Sequence, residues 1–314
     1  MPTGSLSLRH HASAAADALD HVVEALWSVS ASRGFIDIVT AASRITAAIH
    51  GTEPLLPSTP VGPHGWTDTT PAEWRQHNGL TDAERSILTF AEQCSIDVSA
   101  MTPSIRADFL AEAGPAAGDL AAALWVVDVV PRTRAGLDAL FGVGPWPDPT
   151  GSVEGQAGAD LWGALDEVIR VVPSLDVLDP ITSELVRLRV ARQHDCRLCK
   201  SLRSRSALRA GADDAAFAAV DDYQASTLTP LAQAALSFTD ALVWTPGRID
   251  PSVVTTLQAE ATPAQQIEIV LDVTRNALNK IAVGLGADAA HVDEGIEIYD
   301  VEPDGTLVYG LESE

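Results

Sequence analysis

Apolar positions recur at helical spacing over most of this chain, and alanine fills many of them. The pattern predicts helices over residues 14–27, 36–50, 81–96, 103–111 and 115–130, the last one kinked or broken at Pro131 and running on to about residue 140. A second series is predicted over 161–171, 181–193, 196–210, 213–222, 229–243, 251–259 and 263–285. Thr262-Pro263 with Gln265 marks a helix start, a capping residue followed by proline at the first position. Near the end the period changes. Ile296, Ile298 and Val301 precede Pro303-Asp304-Gly305, and Leu307 to Tyr309 follow, which reads as a short β-hairpin. Residues 1–12 read as untethered.

Two stretches break the helical pattern. Residues 51–79 carry Pro54, Pro57, Pro60, Pro63 and Pro71 and read as a long loop with one turn near residues 72–76. Residues 143–160, with Pro145, Pro147 and Pro149 among glycines, read as a linker. The segments on either side of it repeat. Leu228 lies 148 positions after Leu80, and the same offset places Phe238 on Phe90, Pro251-Ser252 on Pro103-Ser104, Pro263-Ala264 on Pro115-Ala116 and Gly284-Leu285 on Gly136-Leu137. The expected fold is therefore all-α, two tandem helical units plus the hairpin. Residues 1–142 form a degenerate unit in which the proline-rich loop stands where the second unit has its cysteines. Residues 161–314 form the unit that keeps the chemistry.

Composition narrows the partners. The chain has 314 residues, enough for two ordinary domains, and a formal net charge of -23. Nucleic acid and an anionic membrane surface both need a basic face, so neither is an expected partner. The longest apolar run, 120–130, is too short for a bilayer span and holds Asp128. No secretory leader pattern opens the sequence, and 3 cysteines make no disulfide framework, so a cytoplasmic, reducing setting is expected.

Against that acidic background the stretch 184–211, ELVRLRVARQHDCRLCKSLRSRSALRAG, is conspicuously basic. A helix ends at Gln193, His194-Asp195 makes a turn, and Cys196 and Cys199 open the next helix, with Asp195 as its cap and Gly211 just past its end. Thiols in a first helical turn, with Arg197, Lys200 and Arg203 nearby, are expected to ionise readily. In a helix, residues three apart share a face, so the two sulfurs can meet.

Glu184, then Cys196 twelve residues on and Cys199 three further, resembles the alkylhydroperoxidase D-like/carboxymuconolactone decarboxylase family over roughly residues 161–292. Two positions depart from it: Arg203 stands where redox members carry a histidine, and Leu198 where they carry a second one. The resemblance implies a thiol-dependent oxidoreductase acting on a peroxide or a disulfide, without cofactor or metal. Cys199 would attack, Cys196 would resolve, Glu184 would belong to a proton relay, and a dithiol protein would act as reductant. It also implies a homo-oligomer, a trimer or dimer. Arg203 would steady a thiolate or bind an anion but cannot carry a proton. His194 is the candidate to supply that function.

Other readings stand beside this one. The cysteines could be packed small apolar residues, or could bind zinc with His194 and Glu184. Glu184 could pair with Arg187, Arg203 could be one more solvated cation, and His194 could be an exposed turn residue. Cys94 reads as a buried hydrophobe. Asn276, Asn279 and Lys280 interrupt an apolar helix and face the thiols, solvent or a partner chain. A lyase of the decarboxylase branch, with Arg203 holding a carboxylate, and a non-catalytic scaffold are the alternative functions.

Overall fold

The computed structural model describes residues 2–56, 71–147 and 160–312. Most of the proline-rich loop and of the linker therefore lie outside the described residues; a short 3-10 turn, Pro71–Gln76, stands where one was expected. The chain is mostly helical. Its first series is α1 (Gly4–His11), α2 (Ser13–Ser32), α3 (Ile36–His50), α4 (Asp82–Asp97), α5 (Pro103–Ala113) and α6 (Ala117–Phe141). The second is α7 (Leu161–Val171), α8 (Pro180–Gln193), α9 (Arg197–Ser201), β1 (Leu202–Ser204), α10 (Arg205–Arg209) and α11 (Asp214–Ala218). It continues with α12 (Pro230–Trp244), α13 (Pro251–Glu260), α14 (Pro263–Asn276), α15 (Asn279–Leu285), β2 (Glu297–Val301) and β3 (Leu307–Leu311).

Helix starts follow the capping chemistry. Thr81 and Thr262 each form a full capping box, with Glu84 and Gln265 reaching back. Thr102, Asp179, Thr229 and Asp250 cap α5, α8, α12 and α13, each followed by proline in the first turn. Helices at the repeat offset keep like neighbours: α3 packs on α4 and α6, α8 packs on α12 and α14, and α4–α5 and α12–α13 are adjacent pairs. The two halves meet through α2 against α7 and α6 against α14, and one apolar core runs through both.

Four expectations need correction. Residues 4–11 are helical and tied down, with Leu8 buried and the Gly4 amide donating to the Gly142 carbonyl at 2.9 Å. Pro131 sits inside an unbroken α6. The segment 263–285 is two helices, parted at Ala277-Leu278. Most consequential, 196–210 is not one helix. After one turn of α9 the chain extends into β1, which pairs in parallel with β2, while β2 and β3 form the expected antiparallel hairpin. Hydrogen bonds to a strand nearly a hundred residues away override local helical spacing there.

The segment Pro103–Phe141 is long and apolar enough to cross a membrane by composition, and its most apolar window is 67% buried inside the fold. That buried stretch carries a charge cluster. Asp128 on α6 accepts from Arg132 at 2.9 Å and from Lys280 of α15, and Ser95 donates to it at 2.8 Å. His50 lies against Arg132 at 2.6 Å. Burial pushes the Asp128 carboxyl up, but Arg132 and Lys280 outweigh it and hold the group well below the usual carboxylate range. Burial, then Arg132, bring His50 down to about 4, so it stays neutral near neutral pH.

This cluster binds the halves with two cations around one anion, which sets an order of costs. Asp128→Ala leaves Arg132 and Lys280 buried without a counter-charge and should cost about 3–5 kcal/mol. Lys280→Met leaves Asp128 paired with Arg132 and should cost less. Urea unfolding of both variants checks this; equal or reversed costs would contradict it.

Candidate thiol site

The site hangs from α8. Glu184 is 2% exposed and faces Arg187, one turn on, in a two-pronged ion pair at 2.6 and 2.7 Å. It also accepts from the Ser204 amide at 3.1 Å and the Tyr299 hydroxyl at 2.9 Å. Arg187 uses its remaining donors on the Cys199 carbonyl at 2.8 Å and the Leu202 carbonyl at 2.9 Å. One buried pair thus clamps the cysteine turn, β1 and β2 onto α8. The pairing of Glu184 with Arg187 was legible from their spacing; its depth and the further partners were not. Burial, then the Glu184 charge, push the Tyr299 phenol well above its ordinary range.

The turn before the cysteines is tight. Asp195 has φ 53, the left-handed region that Asp tolerates better than most residues. It is therefore no helix cap. Cys196 is the cap, and its sulfur accepts from the Cys199 amide at 3.2 Å. Cys196 is 1% exposed, on an apolar bed formed with Val98 and Val283, against which Cys94, Leu198 and Cys199 pack. Val98 and Cys94 come from the N-terminal half, so that half walls one side of the thiol pair.

The two sulfurs divide sharply. The neighbouring Cys199, then burial, raise the Cys196 thiol far above the ordinary thiol range. The neighbouring Cys196 lowers Cys199; burial opposes this, and Arg187 and Asn279 reinforce it, leaving Cys199 below the ordinary thiol range. The expectation that both thiols ionise readily is corrected: Cys196, the deeper of the two, stays protonated. The expected source of activation is corrected as well. Arg197 is paired with Asp288 at 2.6 Å and Lys200 with Asp195, so neither is free to act on sulfur.

His194 is buried rather than an exposed turn residue, held to the Asn279 oxygen at 2.6 Å. Burial, then the Lys280 charge, lower it to about 3. It stays neutral near neutral pH and is a poor proton carrier. The Asn279 amide nitrogen is buried without a hydrogen-bond partner and lies close enough to Cys199 to favour the thiolate. Arg203 is not on a helical face with Cys199. It lies on β1, donates to the Lys200 and Leu202 carbonyls at 2.9 and 2.7 Å, and sits over the Phe217 ring at 5.1 Å. Cys94 is pushed up to about 12 by burial. Arg187, Asn279, Tyr299 and Asp288 thus belong to the site; of these Arg187 had been paired with Glu184 and Asn279 had stood out as a polar break in an apolar helix, whereas Tyr299 and Asp288 were missed. Among the described residues, no three His, Cys, Asp or Glu side chains gather to hold a metal ion.

The fold and site define a helical protein with an asymmetric cysteine pair, Cys196 buried and Cys199 half-buried. The uncharacterized protein Rv2313c of Mycobacterium tuberculosis (strain ATCC 25618 / H37Rv) is 40% identical over 246 residues, 76% of this chain and 86% of the relative. The uncharacterized protein MT2376 of Mycobacterium tuberculosis (strain CDC 1551 / Oshkosh) matches to the same extent. The chain belongs to the family of these mycobacterial proteins. No family model matches it, and no solved structure does.

Alkylation with iodoacetamide across pH, read by peptide mapping, should give Cys199 a midpoint below that of a free thiol and leave Cys196 unreacted at neutral pH. Asn279→Ala should move the Cys199 midpoint up, and Arg203→Ala should leave it in place. A Cys199 midpoint at or above about 8.5, the free-thiol value, or a larger shift from Arg203→Ala, would contradict this assignment.

Proposed function

We propose that this chain is a thiol-dependent oxidoreductase that reduces a peroxide or a disulfide through Cys199 and Cys196. One observation carries the reading: two thiols share one turn, Cys196 buried with its sulfur accepting from the Cys199 amide, and Cys199 half-buried beside Arg187 and Asn279, which favour its thiolate. The resemblance of Glu184, Cys196 and Cys199 to the alkylhydroperoxidase-like pattern supports it.

With a hydroperoxide, the Cys199 thiolate attacks the terminal oxygen and the O–O bond breaks. The leaving alkoxide takes a proton from water and departs as alcohol, and Cys199 becomes a sulfenic acid. The Cys196 thiol then attacks that sulfur, an S–S bond forms, and water leaves. A dithiol protein restores both thiols by two exchange steps and is itself oxidised. Glu184 and Arg187 position the turn, and the Arg187 guanidinium favours the Cys199 thiolate; with His194 held neutral, solvent carries the protons. The same reading assigns the protein to a reducing, cytoplasmic setting and to a homo-oligomer. The lyase alternative relied on Arg203 as a carboxylate anchor, and the carbonyl and Phe217 contacts of that side chain give it no support.

Peroxide consumption tests the reading. With dithiothreitol present, the wild type should turn over cumene hydroperoxide, and Cys199→Ser should abolish the reaction. Without reductant, Cys196→Ser should consume one equivalent and leave a dimedone-reactive sulfenic acid on Cys199. Undiminished consumption by Cys199→Ser would overturn the proposal.

A further inference from the structure

A cavity of about 300 Å³, lined in part by Glu184 and Arg187 and by neither cysteine, has a volume at the small end of ligand sites. Its walls come from α8, α14, β2 and the segment leading into α8. Two carboxylates one helical turn apart on α14, Glu268 and Asp272, face it. One Glu268 oxygen accepts from the Val177 and Leu178 amides at 2.9 and 3.0 Å. Asp272 differs. It is 8% exposed, and its Oδ2 is buried with no hydrogen-bond partner. A cavity-lining carboxylate with one oxygen left unmatched calls for an explanation, because leaving it so is costly.

The charges around the cavity do not balance. Glu184 and Arg187 neutralise each other, and Asp300 is paired with Arg205 at 3.0 Å. That leaves Asp176, Glu268 and Asp272 against Arg275, whose Nε is turned to the Ile169 carbonyl at 3.1 Å. An anion would meet repulsion from this wall. A metal ion would need a tighter cluster of ligands than the described residues provide. A compact organic monocation would meet two carboxylates, the Ser183 hydroxyl and enough room for its carbon skeleton.

We propose that this cavity binds a small primary ammonium compound, with Asp272 and Glu268 as its counter-charges. The site is independent of the redox reading, since it needs neither cysteine. Burial, then the neighbouring Glu268, push Asp272 up to about 7, and burial pushes Glu268 up to about 7. Binding therefore strengthens as pH rises through that range, where both groups ionise. The other charged or titratable groups facing the pair are Asp176 and Asp179 before α8, Glu184 and Arg187 on α8, Arg275 on α14, and Tyr299 and Asp300 on β2. Of these Tyr299 is pushed well above neutrality, and Arg187 and Arg275 remain cations.

Isothermal titration of the full chain with n-butylammonium and benzylammonium, against n-butanol and n-butyrate, tests the site. At pH above about 8 at least one ammonium probe should bind with a Kd of about 1 mM or tighter, and neither control should bind. Asp272→Asn should weaken that binding tenfold or more, with the helical circular-dichroism signal retained. If that variant fails to fold, the wild type serves: its affinity should fall as pH drops below about 7. The proposal is overturned if neither ammonium saturates by about 10 mM, if n-butanol binds as tightly, or if affinity ignores both pH and Asp272→Asn. Cys199→Ser should bind the probes like the wild type, which separates this site from the redox reading.

Discussion

The Glu184–Arg187 pair is the contact on which the cysteine site depends. Neither charge is tolerable alone at that depth, since breaking a buried pair typically costs about 3–5 kcal/mol. Beyond each other they hold backbone and phenol groups that local sequence does not fix in place: the Cys199 and Leu202 carbonyls, the Ser204 amide and the Tyr299 hydroxyl. A single turn such as α9 has too few internal hydrogen bonds to stand alone. Anchored to Arg187, it becomes a fixed platform for two sulfurs. The same guanidinium supplies positive charge that favours the Cys199 thiolate, so one side chain both positions Cys199 and eases its ionisation.

The second constraint runs across the molecule. Asp128 gathers Arg132 from its own helix and Lys280 from the start of α15, next to Asn279. Asn279 in turn touches His194 and acts on Cys199. The N-terminal half, which has no cysteine pair, thereby fixes the helix break that presents Asn279, and its Cys94 and Val98 complete the apolar bed under Cys196. Arg132 and Lys280 are separated by the same 148 positions that relate Leu80 to Leu228. These two positions, matched by that offset, each give one cation to the shared Asp128.

Much of the helical framework was legible because its signals are local. Capping threonines and aspartates, each next to a proline, sit at the starts of α5, α8, α12, α13 and α14, and period-two alternation marked the hairpin. What sequence reading missed was non-local. Leu202-Arg203-Ser204 fits a continuing helix until Ile298 offers it a strand partner. Arg197 and Lys200 look like free cations near sulfur until Asp288 and Asp195 claim them. His194 looks exposed until Asn279, far along the chain, buries it. The candidate cysteines and Glu184 were recognisable from spacing alone. The division of labour between the sulfurs was not, because it rests on which thiol lies deeper and which one Arg187 and Asn279 reach.

The central claim is that Cys196 and Cys199 act as one redox pair, with Cys94 a bystander in the same apolar bed. Peptide mapping measures it most directly: the full chain is exposed to one equivalent of hydroperoxide, then denatured in excess alkylating agent and digested. The account predicts a Cys196–Cys199 link that dithiothreitol removes, with Cys94 recovered alkylated. Recovery of all three thiols free, a link involving Cys94, or a stable oxygenated Cys199 beside a free Cys196 would contradict it.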